Sequence, residues 1–238
     1  MNQAGLFLMK RTKNALLIMN PRNIPTVMSA FKALPIDKYW MRAYTERELA
    51  EGVISEIIEG SDYQNYLLCS DDVICTPEAL AAVEELLERK EIASGWANMA
   101  VNSKNLCVTI NPLRLTHKGN NGKPSPVVED YDLLTVDEFN KLPEEFEATC
   151  SGFALMGARR SIWLRYPFQV YTRNSKDGYS SDHDWSFRIQ DEHRIWITKK
   201  GYIENLKPSD KGICKDNWIR DSEPGRVIRE TYENPIHG

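Results

Sequence analysis

Along the first sixty residues, short apolar runs are followed by segments with apolar residues at helical spacing, which predicts strands and helices in turn. Ala15–Met19 is a short apolar run followed by Asn-Pro, which is typical of a buried strand with a sharp stop. Thr26–Leu34 then carries apolar residues at helical spacing, and Tyr39–Ala43 predicts a second strand. A second helix follows from the capping box formed by Thr45 and Glu48 up to Gly60.

A third strand and helix complete this half of the chain. Tyr66–Cys69 predicts the strand, and Thr76-Pro77 supplies an N-cap followed by proline at the first helical position. Strand and helix repeated three times imply parallel strands with right-handed crossovers and helices on both sheet faces. The expected fold is therefore α/β, with a single Rossmann-like, mixed but mainly parallel sheet.

The second half has a less regular pattern. Residues 111–130 are rich in Gly, Pro and Asn, which predicts a long loop. The remaining predicted elements are a strand at Leu106–Ile110, a short helix after Thr135, a strand at Phe153–Met156, a helix at Asp182–His193, and a hairpin or two short strands at Ile195–Thr198 and Tyr202–Glu204. We expect residues 1–207 to form the domain and the polar residues 208–238 to form an extension packed on it.

Composition limits the classes of protein to consider. The chain has 238 residues, of which 42% are hydrophobic and 27% charged, with a net charge of −4 and no basic block. These values are ordinary for a soluble globular protein and argue against a nucleic-acid binder. No apolar segment is long enough to span a bilayer, and the five scattered cysteines predict buried, reduced thiols. The expected location is cytoplasmic.

The end of the third strand carries two adjacent carboxylates, Asp71 and Asp72. In open α/β sheets, ligands bind at the carboxyl ends of the strands. Two close carboxylates repel each other unless a cation or hydrogen-bond donors compensate, and Mg²⁺ and Mn²⁺ favour carboxylate oxygen and often bridge it to phosphates. The pair therefore indicates either a metal site or an Asp-rich turn in which Asp72 caps a loop.

Two later stretches carry further candidates. Ser151-Gly152 precedes an apolar strand, where a glycine allows the backbone to approach a ligand closely, or simply forms a turn. Asp182 lies in the first turn of a predicted helix, either as a partner of the helix dipole or as a general base facing the same cleft as Asp72. Arg188 lies further along that helix and needs a partner, such as a carboxylate or a phosphate.

The order and spacing of these stretches resemble those of the GT-A family of nucleotide-sugar glycosyltransferases, with the nearest likeness to the large inverting family 2. The resemblance covers roughly residues 14–207. It is carried by Ser70-Asp71-Asp72 after the third strand, by Ser151-Gly152-Phe153, and by Asp182 with Trp185 and Arg188 on the late helix.

The resemblance implies roles for these residues. Asp72 matches the metal ligand that holds the donor diphosphate, while Ser70 and Asp71 fill the preceding positions of the Asp-x-Asp motif. Asp182 inherits the role of catalytic base, with Ser181 in place of the usual glutamate. Asn205 falls where many members carry a further ligand, often histidine, for Mn²⁺ or Mg²⁺, and His193 or His237 are the alternatives.

The resemblance also implies a donor and its contacts. Asn20 and Arg22, after the first strand, fall where members contact the nucleotide, and Ser151, Gly152 and Arg188 complete the donor-binding set. The expected donor is a UDP- or GDP-sugar, and the acceptor is a glycan, a lipid or a protein. The expected activity is metal-dependent transfer of a sugar to an acceptor hydroxyl with inversion.

Two other functions fit the same fold. The first is a sugar-phosphate nucleotidyltransferase, although no glycine-rich loop follows Ala15–Met19 as such enzymes usually require. The second is a catalytically inactive nucleotide- or sugar-binding module, which the departures at Ser70, Ser181 and Asn205 favour.

Overall fold

A computed structural model describes the following residues, and every structural statement below concerns them: 12–20, 24–42, 52, 54–70, 73–97, 105–109, 115–117, 126–128, 133–152, 154–168 and 181–205. The capping box at Thr45 and Glu48 and the expected extension after residue 207 lie outside these ranges. Among the described helices, none has the length and apolar content needed to cross a bilayer.

The first half alternates strands and helices as expected. Its elements are β1 (Asn14–Asn20), α1 (Pro25–Ala33), β2 (Asp37–Arg42), α2 (Ile54–Glu59), β3 (Asn65–Ser70), β4 (Val73–Ile74), α3 (Pro77–Arg89) and β5 (Ile92–Ala97). The start of α3 is the one that Thr76 predicts, because its side chain accepts a hydrogen bond from the backbone N–H of Ala79 and Pro77 occupies the first helical turn.

The second half adds short strands and three short helices. Its elements are β6 (Asn105–Thr109), β7 (Leu115–His117), β8 (Pro126–Val128), β9 (Leu133–Thr135), α4 (Val136–Lys141), β10 (Glu145–Ala148), β11 (Ala154–Arg159), α5 (Arg160–Arg165), α6 (Ser181–Ile189) and β12 (Ile195–Asn205). Strands β6 and β9 pair with each other, as do β7 and β8. The stretch 111–130, expected to be a loop, therefore contains a two-stranded ladder.

The main sheet has the strand order β10-β12-β5-β11-β3-β1-β2, with β4 paired to the end of β12. Strand β1 is parallel to β2 and β3, and β5 is parallel to β12. Strand β11 is antiparallel to both β3 and β5, so these two run in the same direction, and β10 is antiparallel to β12. Strands β1, β2, β3, β5 and β12 thus share one direction. The sheet is mixed and mainly parallel, as predicted for a GT-A fold.

Helices cover both faces of this sheet, and alternate residues of each strand face opposite layers. On what we call the front face, Leu17 and Leu68 pack in one cluster with Trp163 of α5 and Trp185 of α6. The back face carries a second cluster, in which the strand side chains pack against α1 and α3. Burial on both faces explains why β1 and β3 are continuous apolar runs.

Strands β5 and β12 of the main sheet both differ from the sequence prediction. Strand β5, in the middle of the sheet, was not predicted, because Ser94 and Gly95 interrupt its apolar pattern. The predicted hairpin or pair of strands after Ile195 is wrong: β12 is one strand of 11 residues whose pairing with β5 shifts register between Ile197 and Tyr202. The polar residues 198–200, which suggested a turn, lie within this register shift, so the strand continues through them.

Candidate functional site

The carboxyl edge of the sheet, where β1, β3, β5 and β12 end, brings several predicted residues to one side of the molecule. Asn20 and Ser70 are the last residues of β1 and β3, and Met19 pairs with Ser70 in register. Val73, after the aspartate pair, pairs with Asn205 at the end of β12. The backbone on either side of Asp71-Asp72 is therefore held by two strands of this edge.

Asp182 lies at the beginning of α6, on the front face, and that helix is firmly anchored. Trp185 is fully buried, its ring stacks on Trp163 with 4.3 Å between centroids, and its Nε1 donates to the carbonyl of Tyr166 at 2.8 Å. The hydroxyl of Ser186 donates to the backbone carbonyl of Asp182 at 2.7 Å. The half-buried carboxylate of Asp182 thus projects from a helix with little freedom to shift.

Gly152 lies directly against this carboxylate. A methyl group at position 152 would lie 3.3 Å from Oδ2 of Asp182, closer than an ordinary van der Waals contact. Ala154, two residues after Gly152, pairs with Cys69, the residue before Ser70. The structure therefore brings Gly152 and Asp182, predicted from separate stretches, together beside the end of β3.

A buried hydroxyl pair supports the backbone that carries Gly152. The Oγ atoms of Ser151 and Ser94 are 2.6 Å apart, and Ser94 is fully buried in the middle of β5. The hydroxyl of Ser94 also lies 3.0 Å from the carbonyl of Gly95. The hydroxyl of Ser151 likewise lies 3.4 Å from the carbonyl of Gly152, so either hydroxyl can be the donor within the pair. Sequence reasoning missed Ser94, and the polar Ser-Gly pair inside the apolar run at 92–97 was the signal that could have found it.

Cys150, the residue before Ser151, has a thiol whose pKa is influenced by its burial and by the negative charge of Asp182. Burial raises the pKa of the Cys150 thiol, the negative charge of Asp182 raises it further, and a hydrogen bond with Ser186 lowers it. The thiol therefore stays protonated at neutral pH, behind the carboxylate. Cys69, Cys75 and Cys150 are all buried and form no disulfide within the described part of the chain, which agrees with the prediction for these three.

Backbone strain lies next to the same hydroxyl pair. Leu155 has a φ of 90° and sits at an irregularity in the pairing of β11 with β3, between Ala154 and Met156. A left-handed conformation at a non-glycine residue costs about 1–3 kcal/mol and persists only where surrounding contacts impose it. Leu155 is fully buried, and its carbonyl lies 3.5 Å from Oγ of Ser94. Such strained positions are concentrated at functional sites in proteins.

The other predicted residues fall in different places. Arg188 donates from Nη2 to the carbonyl of Pro167 at 2.7 Å, so part of its guanidinium holds α6 to the segment after α5. His193 lies 3.1 Å from the carboxylate of Glu91, which precedes β5, and so lies at the opposite edge of the sheet from Ser70. This position removes His193 as a metal ligand at the carboxyl edge.

Several predicted positions lie outside the described part of the structure. These are Arg22, Asp71, Asp72 and His237, together with the side chains of Asn20 and Asn205. Within the described ranges, no group of three or more His, Cys, Asp or Glu side chains could hold a metal ion. The described residues form a half-buried carboxylate on an anchored helix, directly against a glycine that has no side chain to displace it. This arrangement can accept a proton from a hydroxyl bound there.

No protein-family model and no curated protein matches the chain. Among solved structures, the protein A197 from STIV has a TM-score of 0.48 at 11% identity, with 79% of this chain and 83% of that chain covered.

Two transferases are also similar in structure. GalNAc-T7, crystallised with UDP, GalNAc and Mn²⁺, has a TM-score of 0.48 at 9% identity, with 94% of this chain and 51% of that chain covered. The inositol-1-phosphate CTP transferase from T. maritima has a TM-score of 0.40 at 8% identity, with 94% and 98% covered. Because these scores and identities are low, the assignment of the fold rests on the strand order and the two helical layers described above.

Proposed function

We propose that this protein is a metal-dependent glycosyltransferase that moves a sugar from a nucleoside-diphosphate donor to an acceptor hydroxyl with inversion. The observation that carries the proposal is the contact between Gly152 and the carboxylate of Asp182 beside the end of β3. It joins the two motifs that the sequence resemblance assigns to the sugar pocket and to the base.

In this proposal Asp182 is the catalytic base. Its carboxylate accepts the proton of the acceptor hydroxyl as that oxygen attacks the anomeric carbon. The anchoring of α6 through Trp185 and Ser186 keeps the carboxylate in place, and fixed geometry is itself a large part of catalysis. Gly152 leaves the space that the acceptor hydroxyl occupies, and Ser151 keeps Gly152 in position through Ser94.

The donor site extends from Gly152 toward β1. We assign Asn20 and Arg22 to the nucleotide, Ser70 and Asp71 to the segment between nucleotide and diphosphate, and Arg188 to the donor side of α6. Asp72 and Asn205 would hold Mn²⁺ or Mg²⁺, and the pairing of Val73 with Asn205 brings the backbone beside Asp72 next to Asn205. When bound, the metal ion supplies positive charge that stabilises the leaving diphosphate.

A thermal-shift screen tests the donor assignment. Nucleoside diphosphates and their sugars are added one at a time, with and without Mn²⁺, and the unfolding temperature is recorded. A ligand that binds only the folded state raises it with the logarithm of concentration over Kd. We expect one nucleoside diphosphate to stabilise the protein in a Mn²⁺-dependent way, and no stabilisation by any member of the set would refute the proposal.

An inactive binding module remains the second candidate, and Ser70 is the observation in its favour. This residue ends β3 where the resemblance expects an aspartate, so one negative charge is absent from the motif. Slow release of nucleoside diphosphate from the identified sugar donor, with Mn²⁺ present, indicates the enzyme. Binding without any release indicates the module.

A further inference from the structure

Three aromatic side chains form a connected group on the front face near the carboxyl ends of β5 and β12. The ring of Trp96 lies 4.4 Å from that of Phe139 and 4.8 Å from that of Tyr202, centroid to centroid. Tyr202 is 37% exposed and is the one exposed large hydrophobic residue in the described part of the chain. We call this group, Trp96, Phe139 and Tyr202, the aromatic platform.

Contacts with Lys199 and with the front-face cluster hold Trp96 and Phe139 of the platform in place. Nε1 of Trp96 donates to the carbonyl of Lys199 at 2.7 Å. The ammonium of Lys199 donates to the carbonyl of Leu142 at 2.6 Å and lies 5.0 Å from the ring centroid of Phe139. Phe139 is buried in the front-face cluster. Tyr202 therefore packs on aromatic rings that are already fixed. Its side chain loses little additional freedom when a ligand stacks on it.

The platform lies next to the candidate site. Trp96 follows Ser94 by two residues on the same face of β5, a separation of about 7 Å. Ser94 contacts Ser151, and the next residue, Gly152, lies against Asp182. A molecule bound on the platform with one end reaching the Asp182 carboxylate would need the dimensions of a sugar ring or a short saccharide.

Strand order separates the platform from the expected nucleotide position. The nucleotide contacts were assigned to the end of β1, and β12 lies four strands away through β3, β11 and β5. At the usual spacing between strands, this distance is roughly 19 Å. The proposed donor site assigns the interval beside β3 and β11 to the diphosphate and its sugar. The group that reaches Tyr202 therefore belongs to the acceptor and not to the nucleobase.

We propose that the aromatic platform binds a sugar ring of the acceptor, so that the acceptor is a saccharide. This inference rests on the proposed glycosyltransferase function. A pyranose presents a flat face of C–H groups that packs on the electron-rich face of an aromatic ring, while its hydroxyls remain free at the rim. One of these hydroxyls then faces Asp182.

Ligand-observed NMR on the full chain tests the proposal. The probes are the methyl glycosides of glucose, galactose, mannose and N-acetylglucosamine, added separately to the wild type, to Tyr202→Ala and to Tyr202→Phe. We expect at least one glycoside to bind the wild type and Tyr202→Phe equally, and to bind Tyr202→Ala about tenfold more weakly. Matched unfolding temperatures of the three proteins exclude a loss of fold as the cause.

Three outcomes would overturn the proposal: no glycoside binding to the wild type, equal binding to Tyr202→Ala, or displacement of the glycoside by UDP alone together with loss of UDP binding in Tyr202→Ala. The last outcome would identify the platform as a nucleobase site.

The nucleotide screen separates this result from the proposed function. If no nucleotide or nucleotide-sugar binds while glycoside binding still depends on Tyr202, the saccharide site stands and the transferase proposal fails. If the donor binds and slowly releases its nucleoside diphosphate equally in the wild type and in Tyr202→Ala, while no glycoside binds, the donor chemistry stands and the platform proposal fails.

Discussion

Gly152 lies against the carboxylate of Asp182, so close that a methyl group there would be 3.3 Å from Oδ2. Thirty residues separate the two along the chain, and the strained start of β11 and the anchored helix α6 bring them together. The proposed chemistry depends on this contact.

Replacing Gly152 with alanine tests the contact directly. The added methyl group displaces the Asp182 carboxylate by a few tenths of an ångström, and we expect release of nucleoside diphosphate from the donor to slow by about tenfold. The control is Gly60→Ala, at the end of α2, where the new methyl group would lie 3.1 Å from the carbonyl of Glu56. It can change stability, but activity per folded molecule should stay at the wild-type value.

The hydroxyl pair of Ser94 and Ser151 is expected to stabilise the fold as well as the site. Ser94→Ala leaves the buried Ser151 hydroxyl without its closest partner, and we expect the free energy of unfolding to fall by about 1–3 kcal/mol. Ser151→Ala in the Ser94→Ala background should cost less than it does alone, because the hydrogen bond between the two hydroxyls is already absent there. Urea unfolding of the four proteins measures this coupling, and strict additivity would show that the two side chains do not interact.

The N-cap of α3 provides a test of the fold that is independent of the site. Thr76→Ala removes the acceptor for the backbone N–H of Ala79, and we expect a loss of about 1 kcal/mol in unfolding free energy. Thr76→Ser keeps the acceptor and should stay near the wild type. Unchanged stability in the alanine variant would contradict the helix start described here.

Stability at high pH should depend on the buried thiols. Burial raises the pKa of the Cys75 thiol from 9.0 to about 12, so the unfolded chain releases this proton at a lower pH than the folded protein does. The contribution of Cys75 to stability is therefore fully present below pH 9.0 and is lost as the pH rises toward about 12. Unfolding free energies measured at increasing pH should fall more steeply for the wild type than for Cys75→Ala, and parallel curves would show that the thiol is not protected.

The sequence predicts those parts of the fold that have a continuous apolar pattern. Strands β1 and β3 are buried on both faces, so each contains a continuous apolar run, Ala15–Met19 in β1 and Tyr66–Cys69 in β3, that is visible in the sequence. The start of helix α3 is predicted by Thr76 as the N-cap and Pro77 in the first turn. Strand β5 is equally central but carries Ser94 and Gly95, which interrupt its apolar pattern, and the Ser151 partner that makes the buried Ser94 hydroxyl acceptable lies 57 residues away.

The same reasoning applies to the site. Asp182 and Gly152 each had an ordinary local explanation, as a helix-dipole partner and a turn glycine, and only the tertiary fold shows that they touch. The long strand β12 was not predicted as one element because its pairing with β5 shifts register near Gly201. This shift depends on Gly95 of β5, which the sequence around Gly201 does not reveal. A methyl group on Gly95 would overlap the carbonyl of Gly201, so the two glycines permit this close approach.

The proposed role of Asp182 as the base of a sugar transfer can be tested by a comparison of three proteins. Release of nucleoside diphosphate from the donor identified by thermal shift is compared in the wild type, Asp182→Asn and Asp191→Asn, a matched change at an exposed residue just after α6. We expect Asp182→Asn to bind the donor with wild-type affinity but to release product at least about a hundredfold more slowly, while Asp191→Asn remains fully active. Wild-type turnover by Asp182→Asn would contradict the proposed role.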